Sequence, residues 1–215
     1  MTKADLIQEL IETGYLKTPR IIDAFQNIDR VDFVPEPFKG EAYENYPLSI
    51  GEGQTISQPL TVAFMLELLE PKPGEKILDV GAGSGWQTAL LAHIVANLRN
   101  EGGQKGIVIA VERLQALCDF ATRNLEKYKF ISNNIIRFHC VDATGGFPDE
   151  APFDKIIAAA SARQDIPFEW KKQLKIGGKI VSPIDGSLWL FEKVNETKWE
   201  EQEFPGFVFV PLVRG

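Results

Sequence analysis

The sequence predicts an α/β protein with a doubly wound sheet that is mostly parallel and ends in an antiparallel edge. Short apolar runs alternate with helical patterns from residue 76 to residue 181, an order typical of βαβ units. A glycine-rich turn follows the first apolar run directly, at the position where an open α/β sheet binds its ligand. The last apolar runs have no helix between them, which predicts antiparallel strands.

Residues 1–70 are predicted to form a helical segment ahead of the sheet. Thr2 and Asp5 resemble a capping pair at the start of one helix, and Thr18-Pro19 is a good start for a second. Prolines and glycines predict a loop-rich stretch from Val34 to Gly53. A third helix is predicted to begin around Gln58-Pro59, and the prolines at positions 71 and 73 end it.

Residues 71–183 form the predicted core of a single domain, which residues 184–215 complete with two strands. The predicted strands of the core are 77–80, 107–111, 135–141, 156–159 and 180–181. Its predicted helices are 88–98, 114–128 and 168–174. The two final strands are expected at Leu188–Val194 and Phe207–Leu212, and Asn100–Gly106 is expected to be a surface loop.

Composition narrows the function. The chain has 215 residues, and its 23 Lys and Arg against 30 Asp and Glu give a formal net charge of −7, which counts against nucleic acid as a partner. It shows neither a signal peptide nor an apolar run of about 18 residues, so we expect a cytoplasmic protein without a membrane span. Cys118 and Cys140 are too few for a disulfide scaffold and are expected to be reduced thiols. The two histidines, His93 and His139, are isolated and predict no metal site.

The glycine-rich turn is the sharpest local motif. Its sequence, Asp79-Val80-Gly81-Ala82-Gly83-Ser84-Gly85, has the spacing G-x-G-x-G, whereas a dinucleotide site has G-x-G-x-x-G. The turn therefore favours an uncharged or zwitterionic nucleoside over a diphosphate. A tight strand-to-helix corner without a ligand is the alternative for the turn taken alone.

Three acidic residues stand at the ends of successive predicted strands and favour a cationic ligand. Asp79 would attract an ammonium group, and Glu112 could accept hydrogen bonds from two ribose hydroxyls. Asp142 could meet an adenine amine, although an acid in this position can also cap a helix. Together they suit S-adenosylmethionine.

The stretch ahead of the core has a composition that by itself predicts a loop entering a helix. It reads Tyr-Pro-Leu-Ser-Ile-Gly-Glu-Gly-Gln-Thr-Ile-Ser-Gln-Pro over residues 46–59. This run closely resembles the signature of the protein-L-isoaspartate (D-aspartate) O-methyltransferase family, P-L-x-I-G-x-G-Q-T-I-S-x-P. The resemblance continues in order through residues 78–85, 111–113, 151–154, 173–178 and 209–212.

The resemblance implies a class I, Rossmann-like S-adenosylmethionine-dependent methyltransferase fold with an N-terminal helical extension. The implied activity is methyl transfer from S-adenosylmethionine to the α-carboxylate of L-isoaspartyl residues in damaged proteins, with S-adenosylhomocysteine as product. The methyl ester then closes to a succinimide, which starts repair. We also predict a monomer that binds neither nucleic acid nor membrane.

The resemblance also implies the site residues. Ser57 is the implied catalytic residue, which binds the reacting carboxylate or orients the loop around it. The implied cofactor-binding residues are Gln54, Thr55, Ile56, Ser57, Asp79, Gly81, Ala82, Gly83, Gly85, Glu112, Arg113, Asp142 and Ala143. The implied substrate-binding residues are Leu48, Ile50, Ser57, Ala160, Val210, Pro211 and Leu212. Arg163 is either a partner for a substrate carboxylate or a solvated side chain.

Three other functions remain open at this point. A related carboxyl methyltransferase could keep the cofactor site and act on another acid. A binding module could keep the pocket without turnover, although the turn glycines, Glu112 and Ser57 are all intact. An NAD-dependent dehydrogenase is disfavoured, because the turn spacing is wrong and no proton-transfer residue is evident.

Overall fold

The computed structural model describes residues 1–96 and 105–213. The predicted end of a helix at Leu98 and the predicted loop from Asn100 to Gly106, except for its last two residues, therefore lie outside the described residues. Within the described ranges, no helix is long and apolar enough to cross a membrane.

The N-terminal segment contains the three predicted helices, α1 (Lys3–Glu12), α2 (Pro19–Asn27) and α3 (Pro59–Leu69). Helix α1 begins with a complete capping box, because Thr2 and Asp5 each accept a hydrogen bond from the other's backbone N–H. Two short 3-10 helices, Arg30–Phe33 and Glu36–Glu41, connect α2 to the residues ahead of α3.

The predicted loop-rich stretch also contains part of a hairpin, which the prediction missed. Strands β1 (Leu48–Gly51) and β2 (Gln54–Ile56) pair in antiparallel fashion around a turn at residues 52–53. Leu48 and Ile50 are buried under the hairpin while Ser49 is exposed. This alternation is too short, and too close to proline and glycine, to stand out in the sequence.

The main sheet has the predicted doubly wound architecture. Its strands are β3 (Lys76–Val80), β4 (Ile107–Glu112), β5 (Ile136–Cys140), β6 (Phe153–Ala158), β7 (Leu174–Ile184), β8 (Ser187–Lys193) and β9 (Trp199–Pro205). They lie in the order β5-β4-β3-β6-β7-β8-β9, with β3 to β7 parallel and the last two antiparallel. The order reverses beside β3, where an open sheet of this kind leaves a crevice for a ligand.

Helices cover both faces of the sheet. The helices of this region are α4 (Trp86–Ala96), α5 (Gln115–Glu126) and α6 (Phe168–Gln173), and Pro148–Glu150 forms a short 3-10 helix. Ile77 and Val108 belong to the apolar cluster that includes α4, whereas Leu78 and Ile109 belong to the cluster that includes Trp170 of α6. Successive strand residues therefore point to opposite, equally buried faces, as expected for a parallel sheet.

The last strand is not where the apolar pattern placed it. Residues 207–212 form only an isolated bridge, between Pro211 and Ser161, and the last strand is the polar segment β9. In β9, residues 200–203 are all exposed, and backbone pairing with β8 holds the strand at the edge of the sheet. The apolar residues that follow pack elsewhere: the ring of Phe207 stacks on that of Phe64 at 5.5 Å.

The expectation of two reduced thiols is wrong, because Cys118 and Cys140 form a disulfide. Cys140 is the partner of Glu112 in the β4–β5 register, and Cys118 lies in the first turns of α5, which follows β4. Their separation of 22 residues hides this proximity in the sequence. The bond joins α5 to the end of β5.

Candidate active site

A cavity opens at the carboxyl ends of β3, β4 and β5, next to β6 and the β1–β2 hairpin. Most of the predicted site residues line it together: Gln54, Thr55, Ile56, Ser57, Gly81, Ala82, Gly83, Glu112, Arg113, Asp142, Ala143, Ala160, Val210, Pro211 and Leu212. Two predicted cofactor residues, Asp79 and Gly85, and two predicted substrate residues, Leu48 and Ile50, are not part of its lining.

The glycine-rich turn requires glycine both for its backbone and for close packing. Gly81, Gly83 and Gly85 have positive φ angles of 78°, 56° and 91°, a region that other residues rarely adopt. A Cβ atom on Gly83 would lie 3.3 Å from Ile50 Cδ1, so the hairpin packs directly on the turn. A Cβ atom on Gly85 would lie 3.1 Å from Leu125 Cγ, so this glycine lets α5 approach the turn.

Glu112 is held in place by three backbone donors. Its Oε2 accepts a hydrogen bond from Gly83 N at 3.0 Å, and its Oε1 accepts from Arg113 N at 2.8 Å and Leu114 N at 3.0 Å. A carboxylate offers about four acceptor positions, so Oε2 keeps capacity for a ligand hydroxyl. The carboxylate thus couples the end of β4 to the middle of the glycine turn.

Asp79 supports the turn from behind the cavity wall. Its side chain is fully buried, and its two carboxylate oxygens accept hydrogen bonds from Gln87 Nε2 at 2.8 Å and Thr88 Oγ1 at 2.6 Å. Gln87, but not Asp79, lines the cavity. Burial raises the pKa of Asp79 to about 6, a change that the nearby charge of Glu112 reinforces and the hydrogen bonds from Thr88 and Gln87 oppose.

We expect Asp79→Asn to gain stability relative to the wild type as the pH rises from 4 to 7. The folded pKa of about 6 exceeds the ordinary value of 3.8, so protonation of Asp79 stabilises the fold fully below about pH 4 and this contribution is lost as the pH rises through 6. A shift of about two units corresponds to about 3 kcal/mol. Denaturant unfolding at both pH values measures the difference.

Asp119→Asn is the control for this measurement. Asp119 also accepts a hydrogen bond from a glutamine amide, from Gln115 Nε2 at 2.7 Å, but it is exposed on α5. The free energy of unfolding of the Asp119→Asn variant should differ from that of the wild type by a constant amount across this pH range. A difference in the free energy of unfolding between Asp79→Asn and the wild type that stays constant with pH would contradict the raised pKa of Asp79.

Asp142 and Ala143 reach the cavity in a tight turn just after β5. Asp142 Oδ1 accepts a hydrogen bond from Thr144 N at 2.8 Å, an Asx turn that fixes the direction of the chain. The carbonyl of Ala143 accepts from Trp170 Nε1 at 3.0 Å, which anchors the turn to α6. An acid and a small apolar residue therefore stand side by side at this wall.

Ser57 lies between two cavities. A second cavity is lined by Pro47, Gln58, Thr61 and the segment Gly206–Val210, and it shares Thr55, Ser57, Ala159 and Val210 with the first. Within the described ranges, the Ser57 hydroxyl makes no hydrogen bond and is therefore available to a ligand. Arg163 is exposed and lines neither cavity.

Several lining residues were not in the predicted set. Trp86 and Gln87 begin α4 and face the cavity, and both are largely buried. The position of Gln87 close after the glycine turn was the signal that could have identified it. The other additional lining residues are Val62, Val80, Ser84, Val111, Leu114, Val141, Ala159 and Val213.

The histidines lie outside this lining. His93 Nε2 is 2.7 Å from Asp23 Oδ2, which ties α4 to α2, and the ring of His139 packs at 4.3 Å from that of Phe147. In the part of the chain that the structure describes, no group of three or more His, Cys, Asp or Glu side chains could hold a metal ion.

The sequence and the fold of this chain match those of known proteins. A model of the family described as protein-L-isoaspartate(D-aspartate) O-methyltransferase matches residues 1–215. The protein-L-isoaspartate O-methyltransferase of Methanopyrus kandleri is 41% identical over 212 residues, covering 97% of this chain and 89% of the relative. That of Aeropyrum pernix is 40% identical over 212 residues, covering 97% of this chain and 78% of the relative.

A solved structure matches along the entire chain. It is described as a protein-L-isoaspartate O-methyltransferase from Plasmodium falciparum in complex with S-adenosyl-L-homocysteine, and it superposes with a TM-score of 0.86 at 25% identity, covering 100% of both chains. Together with the family model and the relatives, this likeness decides the family. The chain belongs to the protein-L-isoaspartate (D-aspartate) O-methyltransferase family.

Proposed function

We propose that this protein transfers a methyl group from S-adenosylmethionine to the α-carboxylate of L-isoaspartyl residues in damaged proteins and peptides, releasing S-adenosylhomocysteine. Family membership supports the reaction. The observation that carries the proposal is that Ser57 is one of the residues shared by two cavities: one beside the glycine turn and Glu112, and one lined by the apolar residues 207–210. Such an arrangement brings a methyl donor and an acceptor together at one side chain.

The residues of the first cavity fit the proposed cofactor. Glu112 offers acceptor capacity to a ribose hydroxyl, and the glycines let the backbone approach the ligand closely. Val111, Leu114, Val141 and Ala143 give the wall an apolar surface suited to a purine ring. We propose that Asp142 reads the adenine amine, and that Asp79 acts indirectly, by fixing Gln87 in the wall.

The chemistry asks for positioning more than for proton transfer. A carboxylate with an ordinary pKa of about 4 is ionised at neutral pH, so the nucleophile needs no general base. Bound S-adenosylmethionine supplies a methyl group that is already activated by its sulfonium. The chain must therefore align the carboxylate oxygen with the methyl carbon and exclude water, which can contribute up to about 7–11 kcal/mol to catalysis.

We propose that the Ser57 hydroxyl donates a hydrogen bond to the reacting carboxylate and so orients that carboxylate. The hairpin that carries Gln54 and Thr55 packs on the glycine turn through Ile50, which closes the site on the cofactor side. We call the first cavity the cofactor cavity and the second the substrate cavity. The cofactor cavity is lined by Ala160, Val210, Pro211 and Leu212, and Val210 also lines the substrate cavity; we propose that these residues contact the isoaspartyl residue. Leu48 and Ile50 would act from within the hairpin, as its buried support.

A paired-peptide assay tests the proposed function. Labelled S-adenosylmethionine is incubated with an isoaspartyl peptide and with the same peptide containing normal aspartate. Label should enter the isoaspartyl peptide alone, as a base-labile methyl ester. Equal labelling of the two peptides, or labelling of neither, contradicts the proposal. Labelling of an unrelated acid in place of the isoaspartyl peptide would instead indicate a related carboxyl methyltransferase.

Ser57→Ala is expected to lower kcat by about 100-fold while leaving the affinity for S-adenosylhomocysteine nearly unchanged, because the variant loses one oriented donor at the reacting carboxylate. Initial rates with the isoaspartyl peptide and calorimetry with S-adenosylhomocysteine measure the two effects. Ser49→Ala is the control, since Ser49 lies on the hairpin that precedes Ser57 but is exposed and lines neither cavity. A large loss of cofactor affinity in Ser57→Ala would assign Ser57 to the cofactor or the fold.

We further propose a monomeric cytoplasmic enzyme of one domain, without a nucleic-acid partner. The net charge of −7 supports the last point. The disulfide is compatible with the cytoplasm if its reduction potential lies below that of the glutathione pool. Gel filtration and subcellular fractionation test these proposals.

A further inference from the structure

Arg30 is a buried cation beside the active-site loop. It is only 2% exposed, and among the described residues its guanidinium forms no ion pair with a carboxylate. Burial lowers its pKa to about 10, which leaves the group charged at neutral pH. A buried charge must be compensated by hydrogen bonds, because desolvation is otherwise costly.

Backbone carbonyls of two separate segments compensate the two Nη groups, whereas the buried Nε has no hydrogen-bond partner among the described residues. Nη1 donates to the carbonyl oxygens of Ala42 at 2.7 Å and Glu44 at 3.4 Å, whereas Nη2 donates to those of Tyr46 at 3.2 Å and Ser57 at 3.0 Å. The guanidinium thus fastens residues 42–46 to the backbone of Ser57. The planar fork of arginine can reach several acceptors at once, which a lysine ammonium cannot do in the same geometry.

The same guanidinium also contacts the wall of the cofactor cavity. The Cζ atom of Arg30 lies 5.2 Å from the ring centroid of Trp86, within the range of a cation–π interaction. Trp86 lines the cofactor cavity at the start of α4. Arg30 therefore touches both the backbone of Ser57 and the ring that stands beside the glycine turn.

We infer that Arg30 is a positioning residue for the methyl transfer, which acts by fixing the Ser57 backbone and, through it, the direction of the Ser57 hydroxyl. This inference rests on the proposed function. Arg30 is buried and lines neither cavity. An effect that passes through Ser57 should disappear when the Ser57 hydroxyl is absent, whereas an effect that passes through Trp86 should remain.

A double-mutant cycle on kcat tests this coupling with the isoaspartyl peptide. Arg30→Lys should lower kcat by about 10-fold, since small displacements of a positioned group are costly. In the Ser57→Ala background it should have little further effect, so the double variant should lose about 100-fold. Two independent effects would multiply to about 1000-fold, and that result would overturn the inference, as would an unchanged kcat in Arg30→Lys.

The controls separate positioning from stability. Arg20→Lys also removes an arginine-to-carbonyl hydrogen bond, from Arg20 Nε to Pro71 O at 2.6 Å, but remote from the cavities, and it should retain full kcat. All rates are taken well below each variant's Tm. If Arg30→Lys does not fold, Arg30→Met, which buries no charge, takes its place in the cycle. A wild type that methylates neither peptide would refute the proposed function itself.

Discussion

Glu112→Ala is expected to weaken the binding of S-adenosylhomocysteine by about 100- to 1000-fold, equivalent to about 3–4 kcal/mol. Two losses add up. A charge-assisted hydrogen bond to the ribose contributes about 1.5–3 kcal/mol, and the Gly83 N–H, which donates to Glu112 Oε2, loses its acceptor in the glycine turn. Turnover at saturating cofactor should fall much less, because the reacting groups are held elsewhere. Calorimetry and initial rates measure the two effects.

Two variants show whether the loss is specific. Glu112→Gln keeps a carbonyl oxygen for the Arg113 and Leu114 N–H groups but turns an NH₂ toward Gly83, so its affinity should fall as well. Glu75→Ala is the matched control: its carboxylate also accepts from a backbone N–H, that of Lys72 at 2.7 Å, but at the opposite end of the sheet. Unchanged affinity in Glu112→Ala would contradict the ribose assignment.

Reduction of the Cys118–Cys140 disulfide is expected to lower the free energy of unfolding by about 3 kcal/mol. The bond closes a loop across a separation of 22 residues and so restricts the unfolded chain. For a chain of 215 residues this corresponds to a fall in Tm of roughly 6–12 °C. Thermal unfolding with and without a phosphine reductant measures the shift.

Thiol counting and a cysteine-free variant complete this test. Protein unfolded without reductant should show no free thiol, and reduction should release two. In the variant Cys118→Ala/Cys140→Ala, the reductant should leave Tm unchanged. Two free thiols in protein purified without reductant would mean that the cysteines are reduced, as expected from the sequence, and that no disulfide stabilises the fold.

The sheet was predictable where burial and chain order act together. Strands β3, β4 and β6 contain runs of buried residues because helices cover both faces of the sheet, and the helices between the strands supply the parallel connections. Strand β9 escaped the prediction because an edge strand needs only backbone pairing and can be polar on both faces. The apolar residues 207–212 were wrongly predicted to form a strand. Their side chains pack against α3 or line the two cavities.

The site residues could be predicted where the backbone topology alone brings them together. The turn glycines and Glu112 follow strand ends, so their convergence follows from the topology alone. Arg30 lies 27 residues from Ser57 in a helical segment, and nothing in the local pattern relates the two. The same holds for Cys118 and Cys140, which meet only when α5 folds back on β5.

The polar character of β9 has a consequence for an enzyme that handles damaged, extended polypeptides. An open sheet edge is a template to which any extended strand can add, and such addition leads to aggregation. Here the edge presents Glu200, Glu201 and Glu203, all exposed, in a strand that Pro205 ends. The isoaspartyl carboxylate is negatively charged, so these glutamates repel it. The same acids that hid the strand from the sequence pattern protect the protein from pairing with its own substrates.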